Sequence, residues 1–333
     1  MEFEINISPK MITIITTYKC TAACEDCCFE CTPKLNSTLN YEEISNAIIS
    51  AHKKFPRLEL VVFTGGECFI LKQNLFKAIS LCTNLGLKTR CVTNAYWAKT
   101  YSSALKVSES LKLAGISEIN ISTGLDHQKW VPQESIVNAS RALLSKSIFT
   151  LVTIEKDSAS SNCYKDFVNE GNIKHLISNK PETFRVQSNV WMPFHSTSEK
   201  RDCNSLEHLK KGCDQIFNNC VITPKKEISA CCGLTLEHIP EMKLGSISNV
   251  DAYVQAQKDD FLKLWLRTEG PFVILQKILG SNHPDIADIQ HQCQACAVLH
   301  QNSSVKEKLI DNYHKNIIPV FNKFKMLEVD DQI

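Results

Sequence analysis

Short runs rich in β-branched and aromatic residues alternate with longer stretches whose apolar positions recur every three to four residues. The runs at 12–16, 58–63, 88–93, 118–122, 149–154 and 184–191 predict six strands. Between them, 41–54, 75–85, 102–113 and 136–145 carry helical periodicity. Strands that alternate with helices pair in parallel, because each helix returns the chain to the same end of the sheet. The fold class is therefore α/β. Periodicity alone leaves open a full barrel, a partial barrel or an open doubly wound sheet.

The alternation stops near residue 195, where His195-Ser196-Thr197-Ser198-Glu199-Lys200-Arg201-Asp202 forms a polar boundary. A first domain of residues 1–195 and a second of 196–333 are expected. The second reads as a strand–turn–strand over 220–230, turning at Pro224-Lys225-Lys226, then a helical stretch over 252–279 and a helical tail. Neither an internal repeat nor a low-complexity tract is present.

Charge excludes some functions and cysteine suggests one. Lys plus Arg number 37 against 36 Asp plus Glu, so no net field favours nucleic acid or an anionic membrane as a partner. No apolar run reaches the length of a membrane span, and the opening residues carry no secretory signal. A cytoplasmic protein is expected. In that reducing compartment disulfides rarely persist, so 16 cysteines gathered into clusters read as metal or cluster ligands.

The first cluster, Cys20-Thr-Ala-Ala-Cys24-Glu-Asp-Cys27, follows the first strand directly. Three thiolates on one short loop suit an iron–sulfur cluster with one iron left open, or a zinc site completed by Cys28 or Cys31. The second strand runs into Gly65-Gly66-Glu67, at the strand end where parallel α/β folds bind ligands. Two glycines let backbone come close to a ligand, and the carboxylate accepts from an ammonium group.

A CxxxCxxC loop after strand one and a GGE ending strand two together resemble the radical S-adenosylmethionine (SAM) superfamily. The resemblance covers residues 11–191 and implies a partial (β/α)6 barrel. It also implies a [4Fe-4S] cluster on Cys20, Cys24 and Cys27, whose open iron chelates SAM and whose electron yields a 5′-deoxyadenosyl radical. Gly65, Gly66 and Glu67 would hold the methionyl amine, with Thr93, Asn94 and Ser122 on the ribose and sulfonium side. An external electron donor such as flavodoxin or ferredoxin is implied as well.

Cys213, Cys231-Cys232 and Cys293-Gln-Ala-Cys296 resemble the C-terminal SPASM or twitch modules of radical SAM maturases, with a Lys pair where that family's hairpin turn has glycine. Six cysteines, with Cys220 inside a strand, fall short of the seven a two-cluster module needs. One auxiliary [4Fe-4S] cluster on Cys213, Cys231, Cys293 and Cys296 is expected, zinc being the alternative. Closer still, Cys27-Cys28-Phe29-Glu30-Cys31-Thr32-Pro33, Cys231-Cys232-Gly233 and the run 264–272 look like epipeptide-type peptide epimerases. That likeness makes Cys232 the hydrogen donor and leaves Cys28 and Cys31 as small packing residues.

The expected activity is hydrogen abstraction from a ribosomally made precursor peptide, with epimerisation of L- to D-residues leading. Other expectations are cyclopropane formation, carbon–carbon or thioether crosslinking, and hydroxylation; a non-catalytic cluster- or zinc-binding interaction protein is the rival of another class. With only about ten residues before strand one, no fused leader-binding module is expected, and recognition falls to the barrel mouth or a separate partner. Asp126 and His127 after strand four, and Arg185 and Gln187 alternating on strand six, are further polar candidates.

Overall fold

The structure, a computed structural model, describes residues 5–156, 161–192 and 205–330. The expected boundary at 195 lies outside them. The chain divides into two compact units, one of Lys10–Asp202 with Ile222–Lys226 and the other of Met1–Pro9, Cys203–Val221 and Glu227–Ile333.

In the first unit the strands are β1 (Met11–Ile15), β2 (Leu60–Thr64), β3 (Lys88–Thr93), β4 (Glu118–Thr123), β5 (Phe149–Lys156) and β6 (Phe184–Val190). They lie side by side in the order 6-5-4-3-2-1, and every neighbouring pair is parallel. This is the six-stranded parallel arrangement of a partial (β/α)6 barrel. Five of the six strands start within a residue of the positions expected from sequence; β2 begins at Leu60 rather than 58, and β5 runs on to Lys156.

Both faces of β1 are buried, with Ile12, Ile14 and Ile15 fully enclosed, as befits a strand covered by helices on one side and barrel interior on the other. Helix Tyr41–Lys54 shows how sequence sets its neighbours. Asn40 and Glu43 form a capping box, Ile44, Ala47, Ile48 and Ala51 make one buried stripe, and His52, Lys53 and Lys54 occupy the last turn, where the helix dipole favours cations. Such a cap is worth about 1 kcal/mol.

Later in the chain, β7 (Asn219–Ile222) and β8 (Glu227–Ser229) are sheet neighbours, and β8 pairs antiparallel with β9 (Lys243–Ser246). The turn before β8 closes with the Lys226 N–H donating to the Thr223 carbonyl at 2.9 Å, and Lys226 holds φ +64. A left-handed lysine therefore does what glycine would do at lower strain. The helical stretch expected over 252–279 is three helices, Ala252–Gln255, Phe261–Glu269 and Pro271–Leu279. Asp260 caps the second with its side chain, and Gly270 at φ +80 separates the second from the third. Helix Ser303–Asp330 follows. Among the described residues no helix is long and apolar enough to cross a membrane.

Candidate active site

The cysteine loop leaves β1 and is fastened along its length by backbone. Thr16 N–H donates to the Thr64 carbonyl at 2.8 Å, Tyr18 N–H to Ser37 at 3.0 Å and Cys20 N–H to Thr32 at 3.1 Å. From the β2 end, Gly66 N–H donates to the Thr17 carbonyl at 2.7 Å and Glu67 N–H to Lys19 at 3.0 Å. That approach explains the two glycines. A Cβ at Gly65 would stand 2.5 Å from the Thr17 oxygen, and one at Gly66 would stand 2.2 Å from the Lys19 oxygen. The closeness expected toward a ligand is thus a closeness to the loop itself.

Glu67 is fully buried beside the loop. Its carboxylate accepts from Phe69 N–H at 3.1 Å, from Asn94 N–H at 2.9 Å, and from the Thr93 hydroxyl at 2.9 and 3.0 Å. Burial pushes its pKa up to about 7 against the pull of those donors. Asn94 continues outward, its Nδ2 donating to Thr21 Oγ1 at 3.0 Å and approaching Cys20 Sγ at 3.8 Å. Thr93 and Asn94 therefore join Glu67 to the cysteine loop. Ser122 sits half-buried near the end of β4, in register with Thr153.

The three thiols differ in environment. Burial pushes Cys20 up to about 12 and raises Cys24 further, and each feels the charge of Cys27. Cys27 goes the other way, to about 6, because the Cys31 thiol donates to it, with help from the Cys31 and Phe29 N–H groups and against its own burial. The Cys31 N–H lies 3.4 Å from Cys27 Sγ. Cys31, expected to be a packing residue, is buried as expected and is also the principal donor to Cys27.

In the second unit Cys213 is held by its N–H donating to Leu266 at 2.9 Å, and the run 264–272 packs against this segment closely enough to require glycine twice. A Cβ at Gly212 would meet the Arg267 oxygen at 2.3 Å, and one at Gly270 the Lys211 oxygen at 2.0 Å. Cys293 opens helix Gln292–Gln301, with its N–H on His291 Nδ1 at 3.0 Å. A Cβ on Gly233 would lie 3.2 Å from Cys293 Sγ and 3.6 Å from Cys231 Sγ, so these two sulfurs flank the glycine. Burial raises Cys213, Cys231, Cys293 and Cys296 alike, and the last three each feel the charge of Cys213. Cys232 is pushed up to about 12 by burial alone, although Cys231 and Cys293 feel its charge. For Cys220 in β7 burial alone raises the thiol.

Both donor sets are all-thiolate, which suits iron–sulfur clusters and zinc. Among the described residues no three His, Cys, Asp or Glu side chains converge on a point where one metal ion would sit. Cys20, Cys24 and Cys27 offer three thiols on one loop, the donor chemistry that an iron–sulfur cluster takes.

The sequence reading named Asp126 and His127 but missed Glu155 and the contact with Glu25. Asp126, buried, accepts the Glu25 N–H at 2.8 Å inside the cysteine loop, and Glu155, at the end of β5, accepts from Asp126 N–H and His127 Nδ1. A carboxylate near the end of a strand rich in β-branched residues was the available signal. Arg185 lies over the Phe149 ring and Gln187 donates weakly to Thr153, both exposed.

No family model matches the chain. A putative peptide biosynthesis protein, YydG of Bacillus subtilis (strain 168), is 21% identical over 160 residues, covering 47% of this chain and 50% of that protein. The chain thus matches about half the length of this curated relative. Among solved structures, native anSMEcpe with bound AdoMet superposes with a TM-score of 0.56 at 11% identity, covering 94% of this chain and 100% of the other. The same protein with bound AdoMet and the Cp18Cys peptide gives 0.55 at 12% identity, covering 94% and 99%. The fold is that of this group of SAM-binding barrels. In sequence motif and fold together, the chain resembles radical SAM peptide-modifying enzymes.

Proposed function

We propose that this chain is a radical SAM enzyme that abstracts a hydrogen atom from a precursor peptide, and that its product is an epimerised residue. The observation that carries the reading is the fastening of the Cys20 end of the cysteine loop to Gly66 and Glu67 at the β2 end and to Asn94. A SAM-bound solved structure with this fold, one form of it also holding a peptide, supports the same reading, as does a relative named for peptide biosynthesis.

Cys20, Cys24 and Cys27 would hold a [4Fe-4S] cluster and leave one iron for SAM. When bound, that cluster supplies the electron that starts radical chemistry. The chain's own part is enclosure and placement. Glu67 holds Thr93 and Asn94 in position, and the glycines keep the loop against the β2 end. Cys213, Cys231, Cys293 and Cys296 would hold an auxiliary cluster. Cys232, outside that set, gives a hydrogen atom to the peptide Cα from the face opposite abstraction. The resulting thiyl returns to thiol by taking one electron from an external donor such as flavodoxin or ferredoxin and one proton from solvent.

The test is anaerobic reconstitution, reduction, and incubation with SAM and candidate peptides in deuterium oxide. 5′-Deoxyadenosine and a peptide carrying one deuterium at an inverted Cα are expected. A product two hydrogens lighter, or one oxygen heavier, replaces epimerisation by ring closure, crosslinking or hydroxylation; absence of 5′-deoxyadenosine removes the radical SAM reading.

A further inference from the structure

Three features outside the proposed machinery converge on one place. Gly124, directly after β4, has φ +146, and a Cβ there would stand 2.0 Å from Glu155 Cγ. Only glycine lets the Glu155 side chain cross the end of β4. Having crossed, Glu155 uses both oxygens: Oε1 accepts the Asp126 N–H at 2.5 Å, and Oε2 takes His127 Nδ1 at 2.9 Å. The short turn of helix Leu125–Gln128 is thereby held by a carboxylate from the neighbouring strand.

That turn has one outward task. Asp126 Oδ2 accepts the Glu25 N–H at 2.8 Å, while Oδ1 meets Lys129 Nζ at 3.2 Å. Glu25 lies between Cys24 and Cys27. Asp126, His127 and Glu155 are 5%, 8% and 3% exposed, so water competes little for these bonds. His127 is backed by the Trp191 ring, whose centroid is 5.1 Å away. Cys20 is fastened from β2 and β3, whereas the Cys24–Cys27 half has this link from the β4 end. Nothing in the proposed chemistry uses Asp126 or Glu155, yet both charges are felt at Cys24.

We propose that Asp126, supported by Glu155 and His127 across Gly124, is a positioning residue that fixes the Cys24–Cys27 half of the loop so that it can retain its iron–sulfur cluster. The inference rests on the reading of that loop as a cluster site, and two readouts separate them. In the metal-free chain, hydrogen exchange at the Glu25 amide reports the tether without any cluster. In the reconstituted protein, the rate at which a chelator strips loop iron reports its consequence. That rate is taken against a Cys20, Cys24 and Cys27 triple-Ala variant, which holds only iron bound elsewhere.

Asp126→Ala should speed both by roughly tenfold or more, since the Glu25 amide loses a buried, charged acceptor. Asp126→Asn keeps an acceptor oxygen and should restore most of the protection. Glu155→Gln, which leaves Asp126 in place and weakens its support, should move both readouts the same way by less. Wild-type exchange at Glu25 in a folded Asp126→Ala chain overturns the tether. Loosened exchange with unchanged iron loss overturns its role toward the cluster. A triple-Ala variant with full iron content overturns the cluster reading, and the role with it, while the exchange data still report the tether.

Discussion

Replacing Glu67 by Gln tests the centre of the site with almost no change in shape. In the native chain Phe69 N–H, Asn94 N–H and the Thr93 hydroxyl all donate to this carboxylate. Thr93 cannot reverse its bond, because its oxygen already accepts from Ala95 N–H at 3.0 Å and Trp97 Nε1 at 3.2 Å. Whichever way the Gln amide lies, its NH2 faces a backbone N–H. One buried donor then loses its acceptor, at a cost of about 1–3 kcal/mol. The pH dependence adds a second signature. With a folded pKa of about 7 against an ordinary 4.5, the native chain keeps a proton on Glu67 that the unfolded chain has released. Stability from this group is therefore present at low pH and falls as pH rises between those values, by up to roughly 3 kcal/mol. Gln has no such slope, so the gap between wild type and variant should narrow from pH 5 to pH 8. Urea denaturation of the metal-free proteins at both values measures it. Equal midpoints at both pH values would refute the argument, since they would mean that the donors around Glu67 are not satisfied by it.

Replacing Cys20, Cys24 and Cys27 together by Ala should abolish 5′-deoxyadenosine formation and keep about half the iron, as one of two four-iron sites; product formation by that variant contradicts the assignment. Gly66→Ala places a Cβ 2.2 Å from the Lys19 oxygen and should lower iron content and stability by about 1–3 kcal/mol or more. Gly171→Ala, with nothing within 4 Å, is its control and should change neither. Cys232→Ala should keep its iron and cleave SAM yet release peptide without stable inversion, read by chiral amino-acid analysis; loss of auxiliary iron instead would make Cys232 a ligand and Cys231 the donor candidate.

The barrel strands were legible because buried parallel strands read as compact β-branched runs, and Ile12–Ile15 or Val61–Phe63 admit little else. The thiols and Gly65-Gly66-Glu67 were legible by spacing. What Gly66 is for was not, since a close approach to Lys19 depends on where two distant strands end. The helical stretch over 252–279 misled because its apolar periodicity runs through both breaks, the one before the Asp260 cap and the one at Gly270 with its positive φ. Asp126 was visible as a loop residue beside a strand, but its partner at Glu25 lies a hundred positions away, and no local pattern encodes that distance. Cys31 looked like ordinary packing, because burial and donation to a neighbouring sulfur leave the same mark in a sequence.

The cysteine loop does not own all the bonds that shape it. Its amides and carbonyls are answered by Gly66 and Glu67 from β2, its Thr21 and Cys20 by Asn94 from β3, and its Glu25 by Asp126 from beyond β4. A synthetic peptide of residues 17–38 would carry all three cysteines and none of those answers. It should bind iron as a flexible thiol ligand does, with mixed stoichiometry and no fixed open corner. The motif is thus a property of three strand ends held in register, and a host barrel that accepts the loop without the glycines and the carboxylates opposite it would inherit the letters and lose the site.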